Sequence, residues 1–479
     1  MTNVVVKWAG QKYDVVADFD DSPQLFKAQL YALTGVPPER QKVLAKGRTI
    51  GDESWNGLKL PAGSMVMMLG SVEAVPQAIV PSASDHGNEG GKKVVMLPAG
   101  LKNLGNTCYM NATLQSFRVI PELMDAIKDY QGSAQSHDAE RYHQMTSAIK
   151  GLFSNMIAAK REEDGSASVI PFIALQALHT TFPQFNARDN QGHMMQQDAN
   201  ECFSELLRLL LTQLSRSAPE ACKKITQYLE GRMTHTLKCI EAENEPVQTS
   251  EERFVQLSCY LSQEVKYLQL GIKNKMTEEL EKESPVLQRN AKYEKKSMIS
   301  RLPAYLSVQM VRFFYKEKDQ ICAKILKDVK FPMVLDVFDM CSPELQTKLL
   351  PMREQFKEFE DKKVEQLRLS KLNADSGAAE AMETDESKER EIIPSSFSDD
   401  EGSNNSGFYE LKAVITHKGR SSNSGHYVAW VRMDEEKWAK CDDDEISFVT
   451  GEEVLKLSGG GDWHCAYVLV YGPRTLYKL

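Results

Sequence analysis

Apolar and polar positions alternate from the first residues onward. Val4, Val6 and Trp8 alternate with Val5 and Lys7, which predicts a strand, and Tyr13 and Val15 predict a second strand returning after a turn at Ala9-Gly10. The pattern then changes period. Ser22-Pro23 reads as an N-cap followed by proline in the first helical position, and Leu25, Phe26, Gln29, Leu30 and Leu33 form a helical stripe. Thr34-Gly35 and Pro37-Pro38 end that helix, and short strands are expected at Lys42–Ala45 and Ser64–Leu69. A second, longer patterned region begins near Leu97. Strand-like runs lie at Ala304–Phe314, Tyr409–Thr416, Tyr427–Met433 and Ala466–Tyr471, and helix-like runs at Tyr109–Phe117 and Asp198–Leu214.

The stretches without pattern divide the chain. Val75–Lys93 is rich in Ala, Pro, Ser and Gly and predicts a flexible linker, which gives domains at 1–74 and 98–479 joined by 75–97. Asn373–Gly407 holds ten acidic residues against two basic ones, so most of the net charge of −9 sits there. Its few large apolar groups predict a disordered insertion, 373–407, within the second domain. The remainder is close to neutral, which argues against a nucleic-acid partner. At 479 residues the chain is too long for one core. No apolar run has bilayer length, so no integral membrane segment is expected. Met1–Gly10 lacks a signal-peptide pattern, and the expectation is a cytoplasmic protein that also enters the nucleus. Nine cysteines stand at 108, 202, 222, 239, 259, 322, 341, 441 and 465 with no Cys-x-x-Cys pair, so neither a disulfide framework nor a zinc ribbon is expected.

One of those cysteines stands apart. In Leu101-Lys102-Asn103-Leu104-Gly105-Asn106-Thr107-Cys108, glycine and asparagine favour a turn, and Asn106 or Thr107 is a plausible N-cap. Met110, Leu114 and Phe117 then predict a helix with one buried face, with Cys108 in its first turn, where the helix dipole favours a thiolate. A thiol nucleophile needs a base. His426 follows the polar loop Gly419–Gly425 and opens a strand; Lys437–Cys441 forms the next strand and ends at Asp442. With the turn near Asp434-Glu435, His426 and Asp442 are equidistant from it and so opposite each other, close enough for the carboxylate to fix the imidazole tautomer. A bulge would shift the register and make Asp443 the partner instead. His417, His179 and His464 compete for the role of base, but none has a carboxylate placed by this arithmetic, although His464 lies near Asp462. Gly459-Gly460-Gly461 precedes a strand and lacks Gly-Lys-Ser/Thr, so it does not read as a phosphate loop.

The Cys108 box, Gln196-Gln197-Asp198-Ala199-Asn200-Glu201, Gly425-His426-Tyr427, Asp442-Asp443 and the final Ala466–Tyr471 occur in an order that resembles the ubiquitin-specific proteases, over about Leu97–Pro473. The first 70 residues resemble ubiquitin, in the order of elements and in Gly35–Gln41 and Lys46–Thr49, but end in Leu69-Gly70-Ser71 rather than Gly-Gly, which implies a docking module that is not conjugated. The implied fold class is α+β: a ubiquitin-like β-grasp, then a papain-like thumb and palm with β fingers. The implied activity is thiol hydrolysis of isopeptide bonds at the ubiquitin C-terminus, with Cys108, His426 and Asp442 catalytic and no cofactor. Asn103 matches the oxyanion position, and Gln197, Asp198 and Tyr427 match substrate-binding positions. Implied partners are ubiquitin, polyubiquitinated proteins and, through the N-terminal module, the 26S proteasome regulatory particle. The loops after Phe313–Lys318 and at Gly419–Gly425 match loops that cover the tail groove. Many members hold zinc in their fingers by two Cys-x-x-Cys pairs; the finger region here, about Thr234–Tyr267, has only Cys239 and Cys259, so no metal is expected. Cys441 replaces an aromatic residue usual before the catalytic aspartate. The rivals are a non-catalytic ubiquitin-binding regulator of the proteasome and a general papain-like protease.

Overall fold

A computed structural model describes residues 2–8, 11–17, 19, 23–34, 36, 41–45, 48–51, 55, 58, 60–61 and 63–69, and then 97–132, 137–159, 167–217, 225–316, 321–375, 391–421, 424–461 and 463–478. The chain divides into two compact units, Met1–His86 and Gly87–Leu479. The turn at Ala9-Gly10, the cap at Ser22, the stop at Gly35 and Pro37-Pro38 and the linker at Val75–Lys93 lie outside the described residues. Among the described residues no helix is long and apolar enough to cross a membrane.

In the first unit, β1 (Thr2–Trp8) pairs antiparallel with β2 (Gln11–Ala17), and α1 (Pro23–Thr34) follows. Then come β3 (Lys42–Ala45), β4 (Arg48–Thr49) and β5 (Met65–Leu69). The sheet order is β2-β1-β5-β3-β4, with β1 and β5 parallel, an arrangement compatible with a β-grasp. Val4, Val6, Val66 and Met68 bury the inner face against Phe26 and Leu30 of α1, as period-two and helical spacing require. Leu33 departs from the expected stripe and is half exposed. At this last turn Thr34 points inward instead, its hydroxyl donating to the Leu30 carbonyl at 2.6 Å.

The second unit opens with β6 (Gly100–Leu101), α2 (Cys108–Phe117), α3 (Pro121–Asp129), α4 (His137–Ala158), β7 (Ser168–Val169), α5 (Phe172–Thr181) and α6 (Ala199–Ser217). It continues through β8 (Gly231–Cys239), β9 (Gln248–Phe254), β10 (Gln256–Tyr260), β11 (Thr277–Ser284), β12 (Arg289–Arg301), β13 (Leu306–Val311), β14 (Phe313–Lys316), β15 (Ile321–Lys324) and β16 (Val334–Asp336). After a long helix, Pro343–Asp375, come β17 (Ile392–Ile393), β18 (Phe408–Ser421), β19 (Ser424–Arg432), β20 (Lys437–Asp442), β21 (Glu445–Thr450), β22 (Cys465–Pro473) and β23 (Leu476–Tyr477).

A ten-stranded sheet forms the centre, with its main path β10-β13-β22-β18-β19-β20-β21. Alternation splits its side chains between two cores. Ala413, Ile415, Tyr427, Ala429 and Val431 face the helical layer, whereas Val414, Val428 and Trp430 face the other side. Helix α2 runs through the first core between β19 and α6, so all ten of its residues are buried rather than one face. Its polar positions are satisfied locally: Asn111 Nδ2 donates to the Leu101 carbonyl at 3.1 Å, and Gln115 Nε2 to the Ala99 carbonyl at 2.9 Å.

The region where fingers were expected is the antiparallel sheet β11-β12-β8-β9. Opposed pairs such as Glu278–Lys295 and Glu281–Lys292 suit a solvated two-sided sheet. The expected boundary was misplaced, because Cys259 lies on β10 in the central sheet. At the tip, Cys239 packs with Ala242, Ala291 and Tyr293 beside the buried Glu245, whose carboxylate accepts from Ser284 Oγ at 2.6 Å and from the Tyr293 hydroxyl at 2.7 Å.

The expected disorder over 373–407 requires correction at both ends. The long helix reaches Asp375, and residues 391–407 are structured; 376–390 lie outside the described residues. Hydrogen bonds replace apolar burial there. Asp400 takes two bonds from Arg301 at 2.8 and 2.7 Å, and Asn404 Oδ1 accepts from the Ser406 and Gly407 amides at 3.0 and 2.8 Å.

Candidate active site

The turn before α2 is built from two left-handed residues, Gly105 at φ 103° and Asn106 at φ 54°. Asn103 Oδ1 sits inside it and accepts from the Gly105 amide at 2.9 Å and the Thr107 amide at 3.3 Å. Thr107 occupies the N-cap position, although its hydroxyl accepts from the Leu104 amide rather than from the helix. Cys108 is therefore the first helical residue, and its amide has no intrahelical acceptor.

Strand β19 brings the base to the thiol. The Tyr427 amide donates to Cys108 Sγ at 3.5 Å, which sets the thiol against the residue that follows His426. His426 Nε2 donates to Asp442 Oδ1 at 2.6 Å. Asp442, and after it Cys108, raise the imidazole to about 10, against the opposing effect of partial burial. The same His426 bond holds the Asp442 carboxyl well below the ordinary range, and Lys440 Nζ, 2.8 Å from Oδ2, adds to this.

The competing histidines are unsuited. Burial pushes His417 down to about 3 and His464 down to about 4, and it also lowers His179 on α5. Asp462 lies outside the described residues. Among the other cysteines, burial raises Cys259, Cys341 and Cys441 to about 12 and Cys202 further, which makes them inert.

A nucleophile in contact with an imidazole, itself oriented by a carboxylate, can perform acyl transfer. The profile of the ubiquitin carboxyl-terminal hydrolases matches residues 99–471. The chain is 40% identical to ubiquitin carboxyl-terminal hydrolase 14 of Caenorhabditis elegans, over 99% of this chain and 94% of that one. It is 38% identical to ubiquitin carboxyl-terminal hydrolase 6 of Arabidopsis thaliana, over 99% of each. The figure is 35% for hydrolase 6 of Schizosaccharomyces pombe, over 99% and 100%. The chain belongs to the ubiquitin carboxyl-terminal hydrolase family. It is a cysteine-type deubiquitinating enzyme.

The hydrolase reaches its His–Asp pair by a different register from the one expected. The ladder pairs Ala429 with Cys441 and Arg432 with Trp438, so His426 and Asp442 are not opposite. Asp434 Oδ1 accepts from the Glu436 and Lys437 amides at 2.9 and 2.7 Å, which draws the turn one residue later than assumed. Asp442 meets the imidazole diagonally.

Asp443 is neither the main partner nor a bystander. It lies 4.0 Å from His426 Nε2, at φ 55°, and accepts from Asn103 Nδ2 and Asn111 Nδ2, each at 2.8 Å. Burial raises its carboxyl, with Asn111 and Asn103 opposing the rise. One amide hydrogen of Asn103 is thereby committed and the plane of the amide is fixed. His426, Asp442 and Asp443 bring one ligand atom each within 4.8 Å, but these atoms are engaged in the hydrogen bonds just described.

Asn111 and Lys440 had no role assigned from sequence. Both were findable: Asn111 is a polar residue one turn after Cys108 on a helix of core residues, and Lys440 shares a strand face with Asp442. Asp198 caps α6, its Oδ1 accepting from the Asn200 and Glu201 amides at 2.7 and 3.0 Å. Its Oδ2 accepts from the Tyr467 hydroxyl at 2.6 Å. Gln197 is half-buried, and its amide donates to the Met195 carbonyl at 3.2 Å. Tyr427 is buried, with its ring centroid 4.6 Å from that of His417.

Proposed function

We propose that this deubiquitinase trims ubiquitin chains from proteasome substrates, with Cys108, His426 and Asp442 as its triad and Asn103 as its oxyanion donor. The observation that carries the chemistry is the Tyr427 amide on the Cys108 sulfur, which brings the adjoining His426, held by Asp442, to the thiol. Cys108 attacks the terminal glycine carbonyl of ubiquitin. The imidazole takes the thiol proton and returns it to the departing lysine amine, and water then cleaves the thioester. The Cys108 amide and Asn103 stabilise the oxyanion, where one donor is typically worth about 2.7–4 kcal/mol. The ubiquitin tail runs along Gln197 and Asp198, with Tyr427 also on its path. The hairpins β14–β15 and β18–β19 match loops that cover the tail groove in the proteases this chain resembles. Ala323 pairs with Ser421, which supports a shared movement; the tips at 317–320 and 422–423 are outside the described residues.

The first unit is a ubiquitin-like docking module for the 26S proteasome regulatory particle, and the enzyme works in the cytoplasm and nucleus. The strand order and the exposed Val16, Met65 and Met67 support a docking role. Ubiquitin bearing a C-terminal electrophile should label the enzyme, and Cys108→Ala should abolish labelling; a labelled Cys108→Ala would refute the assignment. Deleting residues 1–70 should end co-purification with proteasomes while Cys108 stays reactive. Full binding by the truncated chain would refute docking through this unit.

A further inference from the structure

Three consecutive large apolar residues around a proline stand in the open beside the catalytic loop. Ile170, Phe172 and Ile173 are 60%, 55% and 72% exposed, and no Asp, Glu, Lys or Arg occurs from Ser168 to Thr181. Helix α5 buries Ala174, Leu175, Leu178 and Thr181, so its core-facing side is already satisfied. The apolar residues at its start make no contribution to that core, and such a patch marks an interaction site.

Its position relative to Cys108 identifies the partner. Strand β6 lies between β7 and the aspartate turn: the Gly100 and Lys102 amides donate to the Ala167 and Val169 carbonyls at 2.7 and 2.9 Å, and the Leu101 amide to the Asp443 carbonyl at 2.8 Å. The loop carrying Asn103 starts at this junction, next to Ile170. It finishes at its other end against residue 194, where Asn106 Nδ2 donates to the Met194 carbonyl at 2.8 Å.

We infer that Ile170, Phe172 and Ile173 form the docking surface for the acceptor ubiquitin, the protein whose lysine is the leaving group. The inference rests on the proposed path of the tail past Gln197 and Asp198, a few residues beyond Met194, which leaves the β7 end of the loop to the departing side. A lysine side chain holds its own protein within a few ångströms of the thiol, so a folded acceptor must lie against the enzyme surface there. In a polyubiquitin chain that acceptor is ubiquitin, and the uncharged patch selects an apolar face of it.

The test compares leaving groups on the full chain with enzyme in excess. Ile170→Asp and Ile173→Asp should each lower single-turnover cleavage of the diubiquitin linkage that the wild type cleaves fastest by about fivefold or more. Cleavage of ubiquitin carrying a small fluorogenic leaving group should change less than about twofold. Folding of Ile173→Asp is protected because an acidic residue suits the first turn of a helix. Equal losses on both substrates, or unchanged diubiquitin cleavage, would overturn the assignment. A loss confined to a ubiquitin–substrate conjugate would overturn the choice of acceptor. Labelling by the ubiquitin electrophile should match wild type in both variants, and slower labelling would move the patch to the tail side. A wild type that does not label at all would sink the deubiquitinase reading itself.

Discussion

Asp442→Asn tests the electrostatics of the site most directly. The carboxylate accepts from His426 at 2.6 Å and pairs with Lys440 at 2.8 Å, so the amide replaces a charged acceptor by a neutral one without changing shape. A hydrogen bond to a charged group is worth about 1.5–3 kcal/mol, which corresponds to roughly a 10- to 150-fold fall in kcat/KM. The same exchange in a serine-protease triad costs about 10⁴-fold, because the amide there holds the imidazole in the wrong tautomer. Here Asp443 stays 4.0 Å from the same nitrogen, and part of the imidazolium stabilisation survives. Since the His426 side chain is 34% exposed, solvent screens that residual interaction. Asp442→Asn/Asp443→Asn should therefore approach the larger loss and exceed the product of the single effects. The pH profile adds a second readout. His426 is raised from 6.5 to about 10, so its protonated form is fully held below 6.5 and is lost only as pH rises through about 10. Asp442→Asn should bring the alkaline limb down toward neutrality. The assay is kcat/KM on ubiquitin with a fluorogenic leaving group from about pH 6 to 10.5, where the limb reports the imidazole. An unmoved limb, or a double variant no worse than the single, would refute the reasoning.

Asn103→Ala should lower kcat by about 10²- to 10³-fold with little change in KM, measured under saturating substrate. It should also lower the melting temperature, because Asn103 Oδ1 holds the Gly105 and Thr107 amides. Gly425 stands at φ 138°, and an added Cβ would overlap the Lys418 carbonyl oxygen and approach His417 Nε2 to 2.5 Å. Gly425→Ala should displace His426 and reduce electrophile labelling by more than tenfold; wild-type labelling would show that the strand start tolerates a shift. Arg312 is fully buried and donates to the carbonyls of Ala466, Ile325, Lys327 and Ser458 at 2.6 to 3.0 Å. Arg312→Met strands these acceptors and should cost at least about 3 kcal/mol in urea unfolding.

Local signals identified what local rules govern. The alternation in β1, β18, β19 and β22 and the helix at Cys108 follow from period and turn chemistry; the structure places β22 and the helix within two residues of expectation, whereas β18 runs on to Ser421 and β19 already begins at Ser424. The long helix Pro343–Asp375 escaped because Pro351 interrupts it and its later turns carry charge on most faces. Residues 391–407 escaped for a related reason. Composition measures apolar burial, whereas this stretch is ordered by Arg301, Asn404 and Asn405, whose partners are distant or irregular in sequence.

The His426–Asp442 contact shows how an expected neighbour can be reached by a different register. Equidistance from the turn selected Asp442, yet the observed ladder places Ala429 opposite Cys441 and leaves Asp442 diagonal to His426. The two side chains still meet because Asp442 ends β20 and the chain then turns through Asp443 at φ 55°, so both carboxylates lie at the strand end near the imidazole. No pairing rule would have separated their tasks. That separation comes from the Cys108 side of the site, where Asn103 and Asn111 claim both oxygens of Asp443 and leave Asp442 to the base. The two asparagines lie more than three hundred residues from Asp443 in sequence. Division of labour between the adjacent aspartates is thus a property of the packed site, and the double variant above is the measurement that exposes it.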